Sequence, residues 1–161
     1  MKPDFALSLS SDGISLLHRH GAAWVMLGDV PLEADDLSAA LADLRKRADR
    51  AAPQGGKVKL IIPNEQIRYM TLEDHGDEGP ALEAIVRKAL DGATPYAVSD
   101  LVYDWSASDG KLHVAAVARE TLAEAEMFAA GHHFVPVCHT AIAKPGDFTG
   151  DAFRRPVGHQ V

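Results

Sequence analysis

The residue types that most often bind metal ions cluster once in this sequence, in the pairs His132-His133 and Cys138-His139. Imidazole nitrogen and thiolate sulfur are ligands that zinc accepts readily. The spacing matches no established zinc motif, and neighbouring residues on a strand project to opposite faces of a sheet. We interpret these histidines as helix-end and turn residues and Cys138 as a small core residue. A metal-binding domain built on the four residues is kept as an alternative hypothesis.

Cys138 is also the single thiol that could act as a nucleophile. That role needs a neighbouring base or a helix N-terminus to lower the thiol pKa. His139 is adjacent in sequence but is expected to point to the opposite face. The sequence therefore predicts no catalytic residue, no cofactor and no enzymatic activity.

Aromatic residues supply the candidate partner-binding positions. Tyr103 and Trp105 alternate with Asp104, so the two rings are expected to share one face of a strand. The favoured interpretation is that they cover a neighbouring helix. The alternative is an exposed patch, together with Tyr96, that binds a protein partner.

Charge and composition restrict the class of protein. The 161 residues include 23 acidic and 16 basic side chains, a net charge of -7, which disfavours nucleic acid and anionic lipid as partners. A single cysteine suits a reducing compartment. No signal-peptide pattern and no apolar run of about 18 residues occurs, so direct membrane insertion is not expected. We expect a soluble, cytoplasmic protein.

Hydrophobic periodicity predicts two modules and a tail. Residues 1–63 are predicted to form a βββαβ unit, with strands at 5–10, 14–18, 22–30 and 58–62 and a helix at 36–51. Residues 64–143 are predicted to form a ferredoxin-like βαββαβ module with a four-stranded antiparallel sheet. Its strands are expected at 67–72, 101–106, 112–118 and 134–139. Residues 144–161 are expected to be an extended or disordered tail.

The helix that begins at Pro80 is the clearest element of the second module. Its apolar residues recur at helical spacing and are predicted to face the sheet: Leu82, Ile85, Val86, Ala89 and Leu90. Gly92 is placed to end the helix in a left-handed conformation.

Four segments carry a resemblance to a known class of proteins. They are Leu60-Ile61-Ile62-Pro63-Asn64-Glu65-Gln66-Ile67, Ala93-Thr94-Pro95-Tyr96, Leu101-Val102-Tyr103-Asp104-Trp105 and Val117-Ala118-Arg119. They resemble the L-type cytoplasmic protein of type II secretion systems and the M-type assembly protein of type IV pili. The resemblance covers roughly residues 5 to 143. It implies the first half of an actin-like, ribonuclease H-like fold, of mixed α+β and α/β class.

The resemblance also implies where a nucleotide site should lie, and the residues there differ. Nucleotide-binding actin-like proteins carry Asp-x-Gly on the first hairpin, and these positions fall on Ser8 and Ser10. The fold is therefore expected to be kept and the ATPase lost. This favours a non-enzymatic scaffold that binds a protein partner, in the cytoplasm and at the inner-membrane face through that partner.

Two further readings stay open at this point. One is a nucleotide-binding actin-like protein whose second lobe is absent from this chain, and the other is a homodimer. Some bacterial proteins of this general appearance carry a translation initiation factor label. The sequence contains no GxxxxGK[ST] loop that would support nucleotide chemistry of that kind.

Overall fold

The computed structural model describes residues 3–52 and 56–156, which form three α-helices and nine strands. Within this range the strands are β1 (Phe5–Ser10), β2 (Gly13–His20), β3 (Ala23–Val30), β4 (Lys57–Ile61), β5 (Ile67–Glu73), β6 (Leu101–Ser108), β7 (Lys111–Ala118), β8 (Val135–Ile142) and β9 (Asp151–Pro156). The helices are α1 (Leu37–Ala51), α2 (Gly79–Leu90) and α3 (Arg119–Gly131). Single 3-10 turns occur at Asn64–Gln66 and Val98–Asp100.

The described residues divide into two compact units. The first contains residues 3–52, 56–63, 123–140 and 154–156, and the second contains residues 64–122 and 141–153. The mixed α+β class predicted from the sequence is confirmed, as is the βββαβ order of the first unit.

A six-stranded sheet in the order β3-β2-β1-β4-β8-β9 forms the centre of the first unit. The hairpins β1–β2 and β2–β3 are antiparallel, whereas β4 runs parallel to both of its neighbours, β1 and β8. Val58 and Leu60 of β4 are fully buried, as expected for a central parallel strand.

Helix α1 packs on this sheet through one apolar stripe. The Asp36 carboxylate accepts a hydrogen bond from the Ala39 amide at 3.0 Å and caps the helix. Leu41, Leu44 and Ala48 are buried. A Cβ at Gly28 of β3 would lie 2.7 Å from Leu44 Cδ2, so glycine there allows the helix to approach the sheet closely.

The second unit contains an antiparallel sheet in the order β5-β7-β6, covered by α2. Hairpin β6–β7 turns through Asp109 and Gly110, which have φ of 52° and 74°, the left-handed pair that an Asp-Gly hairpin signal predicts. Val86 and Leu90 of α2 are buried in a cluster completed by Leu101, Leu112, Val114 and Ala116.

One member of the predicted apolar stripe of α2 lies elsewhere. The side chain of Ile85 is 37% exposed, so the prediction that it faces the sheet is wrong. The buried contacts follow the i, i+4 row that ends at Val86 and Leu90, and Ile85 falls outside that row.

The assignment of the last strand to the second module is also corrected. Strand β8 pairs with β4 in the first sheet, so the second unit has three strands and lacks the predicted ferredoxin-like fourth. The Ile62 amide donates to the Thr140 carbonyl at 2.8 Å, and the Val135 amide donates to the Gly56 carbonyl at 2.6 Å. These bonds give hydrogen-bond partners to backbone groups at the edge of β4 that would otherwise be buried without them. The second module therefore does not extend through residues 123–140.

The tail predicted for residues 144–161 is ordered as far as the structure describes it. Phe148, Ala152 and Phe153 are buried, and β9 adds the sixth strand beside β8. The Phe153 amide donates to the Asp104 carboxylate at 3.2 Å. The buried rings of Phe148 and Phe153 hold this segment in place. Two isolated aromatic residues produce no helical or strand periodicity, so the sequence pattern did not predict this. Residues 157–161 lie outside the described residues.

Replacing Leu90 with alanine is expected to cost about 2–5 kcal/mol of unfolding free energy, because it leaves a cavity in the closed cluster under α2. Replacing Ile85 with alanine removes a side chain of similar size from a half-exposed position, and we expect a cost below about 1 kcal/mol. Urea denaturation followed by circular dichroism measures both. Equal destabilisation by the two substitutions would contradict the observed orientation of α2.

Candidate functional site

The β1–β2 hairpin, where a nucleotide site would be expected, is held by its own turn. Ser10 Oγ donates to the Gly13 carbonyl and accepts from the Asp12 amide, both at 3.2 Å. A Cβ at Gly13 would lie 2.5 Å from the Val30 carbonyl oxygen. Glycine at position 13 is therefore explained by the close approach of β3.

Ser8 lies in the middle of β1, with Ser15 and Ile61 beside it on the neighbouring strands. A hydroxyl at this position is a weak ligand for a divalent cation, which prefers carboxylate oxygen. Ser8 and Ser10 thus put hydroxyl groups at the two positions where the resemblance implies Asp and Gly, and the carboxylate of Asp12 lies later, in the turn itself.

The second unit contains an open cleft of about 250 Å³. It lies where β5 and β6 begin and β7 ends, beside the segment that links α2 to β6. The lining residues are Glu65, Gln66, Ile67, Arg68, Ala93, Thr94, Pro95, Tyr96, Leu101, Ala116, Val117, Ala118 and Thr121. Most of this lining is small or apolar, with Glu65 and Arg68 as its two charged residues.

Tyr96 is one of the three aromatic residues predicted to bind a partner, and it lines this cleft. Its ring is 39% exposed, and its hydroxyl donates to Glu120 Oε1 at 3.2 Å. Thr94 Oγ1 accepts from the Tyr96 amide at 3.1 Å, so the backbone on either side of Pro95 is held in place. This wall of the cleft is consequently preorganised.

Tyr103 and Trp105 do not join Tyr96 in one patch. Their rings stack at a centroid distance of 6.1 Å and pack against the cluster under α2. The Tyr103 hydroxyl accepts from Arg87 Nη1 at 3.0 Å and donates to Glu83 Oε1 at 3.3 Å. The favoured interpretation, that these rings cover a helix, agrees with these contacts, and neither residue lines the cleft.

The histidine and cysteine residues of the sequence cluster occupy different environments. His133 has φ of 68° and ends α3, while the Phe134 amide returns to the Ala129 carbonyl at 3.0 Å in a Schellman arrangement. The His132 ring packs on Phe128 at 4.8 Å. His139 is buried and contacts Glu126 Oε2 at 3.2 Å.

Cys138 faces the other side of the sheet from His139, next to Lys59. Burial raises the pKa of the Cys138 thiol, and the nearby Lys59 ammonium opposes that shift. Among the residues described, no three His, Cys, Asp or Glu side chains are grouped closely enough to hold a metal ion. The structure therefore does not bring the four predicted residues together.

The turn that leads into β5 is fixed by a half-buried tyrosine. Tyr69 Oη donates to Asn64 Oδ1 at 2.6 Å, and Asn64 Nδ2 donates to the Ile142 carbonyl at 2.8 Å. Glu65 and Gln66, which follow Asn64, line the cleft. Burial of the phenol and, to a lesser extent, the Asp147 carboxylate raise the pKa of Tyr69 to about 12.

Sequence reasoning missed most of the cleft. Ala116, Val117 and Ala118 were assigned correctly to a strand, but nothing local indicates that the end of this strand borders an opening. The one usable signal was the sequence Gly92-Ala93-Thr94-Pro95-Tyr96, which ends a helix and presents an aromatic ring on a rigid turn.

The mixed sheet with α1 and α3, interrupted by a separate three-stranded sheet, is a partial actin-like fold. The solved structures that share it include one from a secretion system and one from a pilus biogenesis complex. One is the cytoplasmic domain of EpsL, an inner membrane component of the type II secretion system of Vibrio cholerae, with a TM-score of 0.62 and 15% identity. The match covers 88% of this chain and 60% of that one.

The other is a chain of the PilM–PilN type IV pilus biogenesis complex, with a TM-score of 0.57 and 20% identity, covering 84% of this chain and 47% of that one. A weaker match, with a TM-score of 0.44 and 13% identity, covers 77% of this chain and 48% of a Bacteroides thetaiotaomicron protein with an actin-like ATPase fold and unknown function. The sequence matches no family model, and no curated protein matches it in sequence. The resemblance predicted from the sequence is thus confirmed at the level of the fold.

None of the helices in residues 3–52 and 56–156 has the length and apolar composition needed to cross a membrane.

The raised pKa of Tyr69 predicts a loss of stability at alkaline pH. The unfolded chain releases the phenolic proton near pH 10 and the folded chain near pH 12, so unfolding becomes easier as pH rises between these values. Tyr69→Phe should be less stable than the wild type at pH 8, by about 0.5–1.5 kcal/mol, because the bond to Asn64 is lost. The difference in melting temperature should shrink from pH 9 to pH 11. A constant difference over this range would contradict the assignment.

Proposed function

We propose that this protein is a non-enzymatic assembly module that binds a segment of a protein partner. The observation that carries the proposal is the β1–β2 hairpin, where Ser8 and Ser10 take the two positions at which actin-like ATPases carry Asp and Gly. The Ser10 hydroxyl is already engaged in the turn, and Gly13 is accounted for by the approach of Val30. A chain that keeps the fold but lacks this Asp and Gly is better suited to binding another protein than to phosphate chemistry.

The fold matches support a protein as the partner. The EpsL domain and the PilM–PilN complex, which match with TM-scores of 0.62 and 0.57, are an inner membrane component of a secretion system and a complex named for two proteins. This chain spans 60% and 47% of their lengths, so the proposal concerns the shared part of the fold. By this analogy we propose that the protein acts in the cytoplasm, at the inner-membrane face, through its partner.

The cleft in the second unit supports binding of a peptide segment. Its volume of about 250 Å³ is below the ~300–1,000 Å³ of typical small-molecule sites, but it is enough for one or two apolar side chains. Tyr96 at its border is the kind of exposed, amphipathic ring that contributes strongly to protein interfaces. Glu65 and Arg68 border the cleft and would select the polar residues that flank the inserted side chains.

The proposal predicts that ATP with magnesium produces no saturable heat in isothermal titration calorimetry, with protein and nucleotide at roughly millimolar levels, where even a Kd near 1 mM would register. The reason is that position 8 carries no carboxylate to orient the metal ion, and that the Ser10 side chain hinders a phosphate from approaching the backbone at position 10. Saturable binding at micromolar nucleotide would favour the alternative, a nucleotide-binding half of an actin-like protein, and would contradict the scaffold hypothesis.

A large side chain that fills the cleft should prevent the partner from binding. Ala93 lines the cleft at a half-buried position, and Ala93→Trp would occupy the space meant for the inserted side chains. Ala97→Trp makes the same change on an exposed residue four positions away that does not line the cleft. In quantitative co-purification from its own cells, the first variant should lose the principal partner by about tenfold or more, equivalent to ~1.4 kcal/mol, and the second should retain it. Equal recovery with both variants would contradict a role for the cleft.

A further inference from the structure

Strand β3 forms one edge of the six-stranded sheet and pairs only with β2. Its first four residues are all exposed: Ala23, Trp24, Val25 and Met26. The last three are 36%, 45% and 54% exposed, although each is a large apolar residue. Because consecutive side chains of a strand project to opposite faces, both faces of the strand are accessible here. We call residues 23–26 the free edge.

The backbone of the free edge has hydrogen-bonding groups that point away from the sheet. The Arg19 amide donates to the Asp4 carbonyl at 2.8 Å, on the side of β2 that faces β1. Arg19 is in register with Trp24, so these two form a non-hydrogen-bonded pair of the antiparallel ladder. The N–H and C=O of Trp24 are therefore directed outwards, and by alternation so are those of Met26. Among the residues that the structure describes, none bonds to these outward groups.

The free edge ends where β3 is bulged. The register of β3 on β2 shifts after Met26, which leaves Leu27 as an extra residue. The Leu27 carbonyl accepts from Arg47 Nη1 of α1 at 2.9 Å. A bulge and an occupied carbonyl both interrupt regular pairing, so an added strand can pair through Trp24 and Met26 but not beyond them.

The free edge also lacks the side chains that keep strand edges apart. Residues 21–28 contain no charged residue and no proline, which are the groups by which natural sheets prevent an edge from pairing with another chain. The whole chain carries a net charge of -7, so an uncharged stretch at an edge stands out. Two copies of this edge can approach without bringing like charges opposite each other.

We propose that the free edge pairs with the same edge of a second copy of this chain, which joins the two six-stranded sheets into one. A two-fold axis maps a residue on the axis onto itself, so an antiparallel self-pairing is centred on one residue. Centred on Val25, the pairing places Trp24 of each copy opposite Met26 of the other. The outward groups of these residues then meet, and each such pair exchanges both N–H···O bonds.

The side chains fit this register. Each Trp24 ring lies opposite a methionine, and thioether sulfur makes favourable contacts with aromatic rings. Val25 and Gly28 pair with alternate residues of β2, so both lie on the face that α1 approaches. Since Val25 is 45% exposed, α1 leaves the position of the two-fold axis uncovered.

A second copy is favoured over a flexible segment of another protein because its edge is already an ordered strand. Ordering a flexible segment on binding costs conformational entropy, and a preformed strand avoids that cost. The contact lies in the first unit and does not depend on the function proposed for the cleft. A dimer formed in this way would carry two copies of the cleft.

Disulfide crosslinking tests the register directly. Cys138→Ser removes the only cysteine, and Val25→Cys then adds one on the axis. Opposed non-hydrogen-bonded residues have Cα atoms about 4.5 Å apart, within the ~4.4–6.8 Å that a disulfide spans. Ala23→Cys is the matched control on the same face, because in this register the two Ala23 Cα atoms lie about 13 Å apart. Mild oxidation should crosslink the first variant into a dimer and leave the second as a monomer.

Sedimentation of the full chain measures the strength of the contact. A contact of this size is at the weak end of protein interfaces, so the wild type should be dimeric at roughly millimolar and monomeric at roughly micromolar concentration. Val25→Lys should weaken the dimer by about tenfold or more, because it places two ammonium groups opposite each other. Val135→Lys, the same change at a 51% exposed position of β8, should alter it by less than about twofold.

Mixing the Val25→Lys and Val25→Glu variants should restore a dimer, because opposite charges then meet at the axis. Recovery on mixing is specific to a pairing in which position 25 meets itself. The proposal would be overturned by a wild type that stays monomeric at roughly millimolar concentration. Equal crosslinking of the two cysteine variants, equal effects of Val25→Lys and Val135→Lys, or no recovery on mixing would each overturn it as well.

Discussion

The parallel pairing of β4 with β8 is the constraint on which the rest of the structure depends. Two parallel strands cannot be joined by a tight turn, so the chain must leave the sheet after Ile61 and return before Val135. Everything between these points, including the three-stranded sheet and α2, is carried by that one connection. Residues 64–122 of the second unit are therefore an insertion, and α3 is the segment that returns the chain to the first sheet. A register error in this pairing would exchange the two faces of β8.

The same register explains why the most reactive-looking residues do no chemistry together. His139 is paired with Leu60 and is buried beside Glu126, whereas Cys138 is paired with Lys59 on the opposite face. Alternation along one strand is enough to separate a thiol from the imidazole next to it. A buried imidazole needs a hydrogen-bond partner, so the contact between His139 and the half-buried Glu126 holds α3 in a specific position on the sheet.

Local signals in the sequence predicted local structure well. The start of the first helix near Asp36, the Asp109-Gly110 hairpin and the left-handed Gly92 are each decided by a few neighbouring residues, and the structure has all three. The predictions that failed concern features that depend on residues far apart in the sequence. Nothing in residues 134–139 says which sheet they join, because their apolar pattern fits either, and the burial of Phe148 and Phe153 depends on strands more than forty residues away. The cleft could not be predicted for the same reason. Its walls come from β5, β6, β7 and the segment around Pro95, which meet only in the folded chain.

The first hairpin and the cleft of the second unit differ in what their side chains leave accessible. The hairpin positions that would meet phosphate are a serine locked in its own turn and a serine inside a strand. The cleft bordered by Tyr96, by contrast, is open and is lined mostly by small or apolar groups. A cleft of this composition can receive apolar side chains of a partner, and for this reason the proposed function is assigned to the cleft and not to the hairpin.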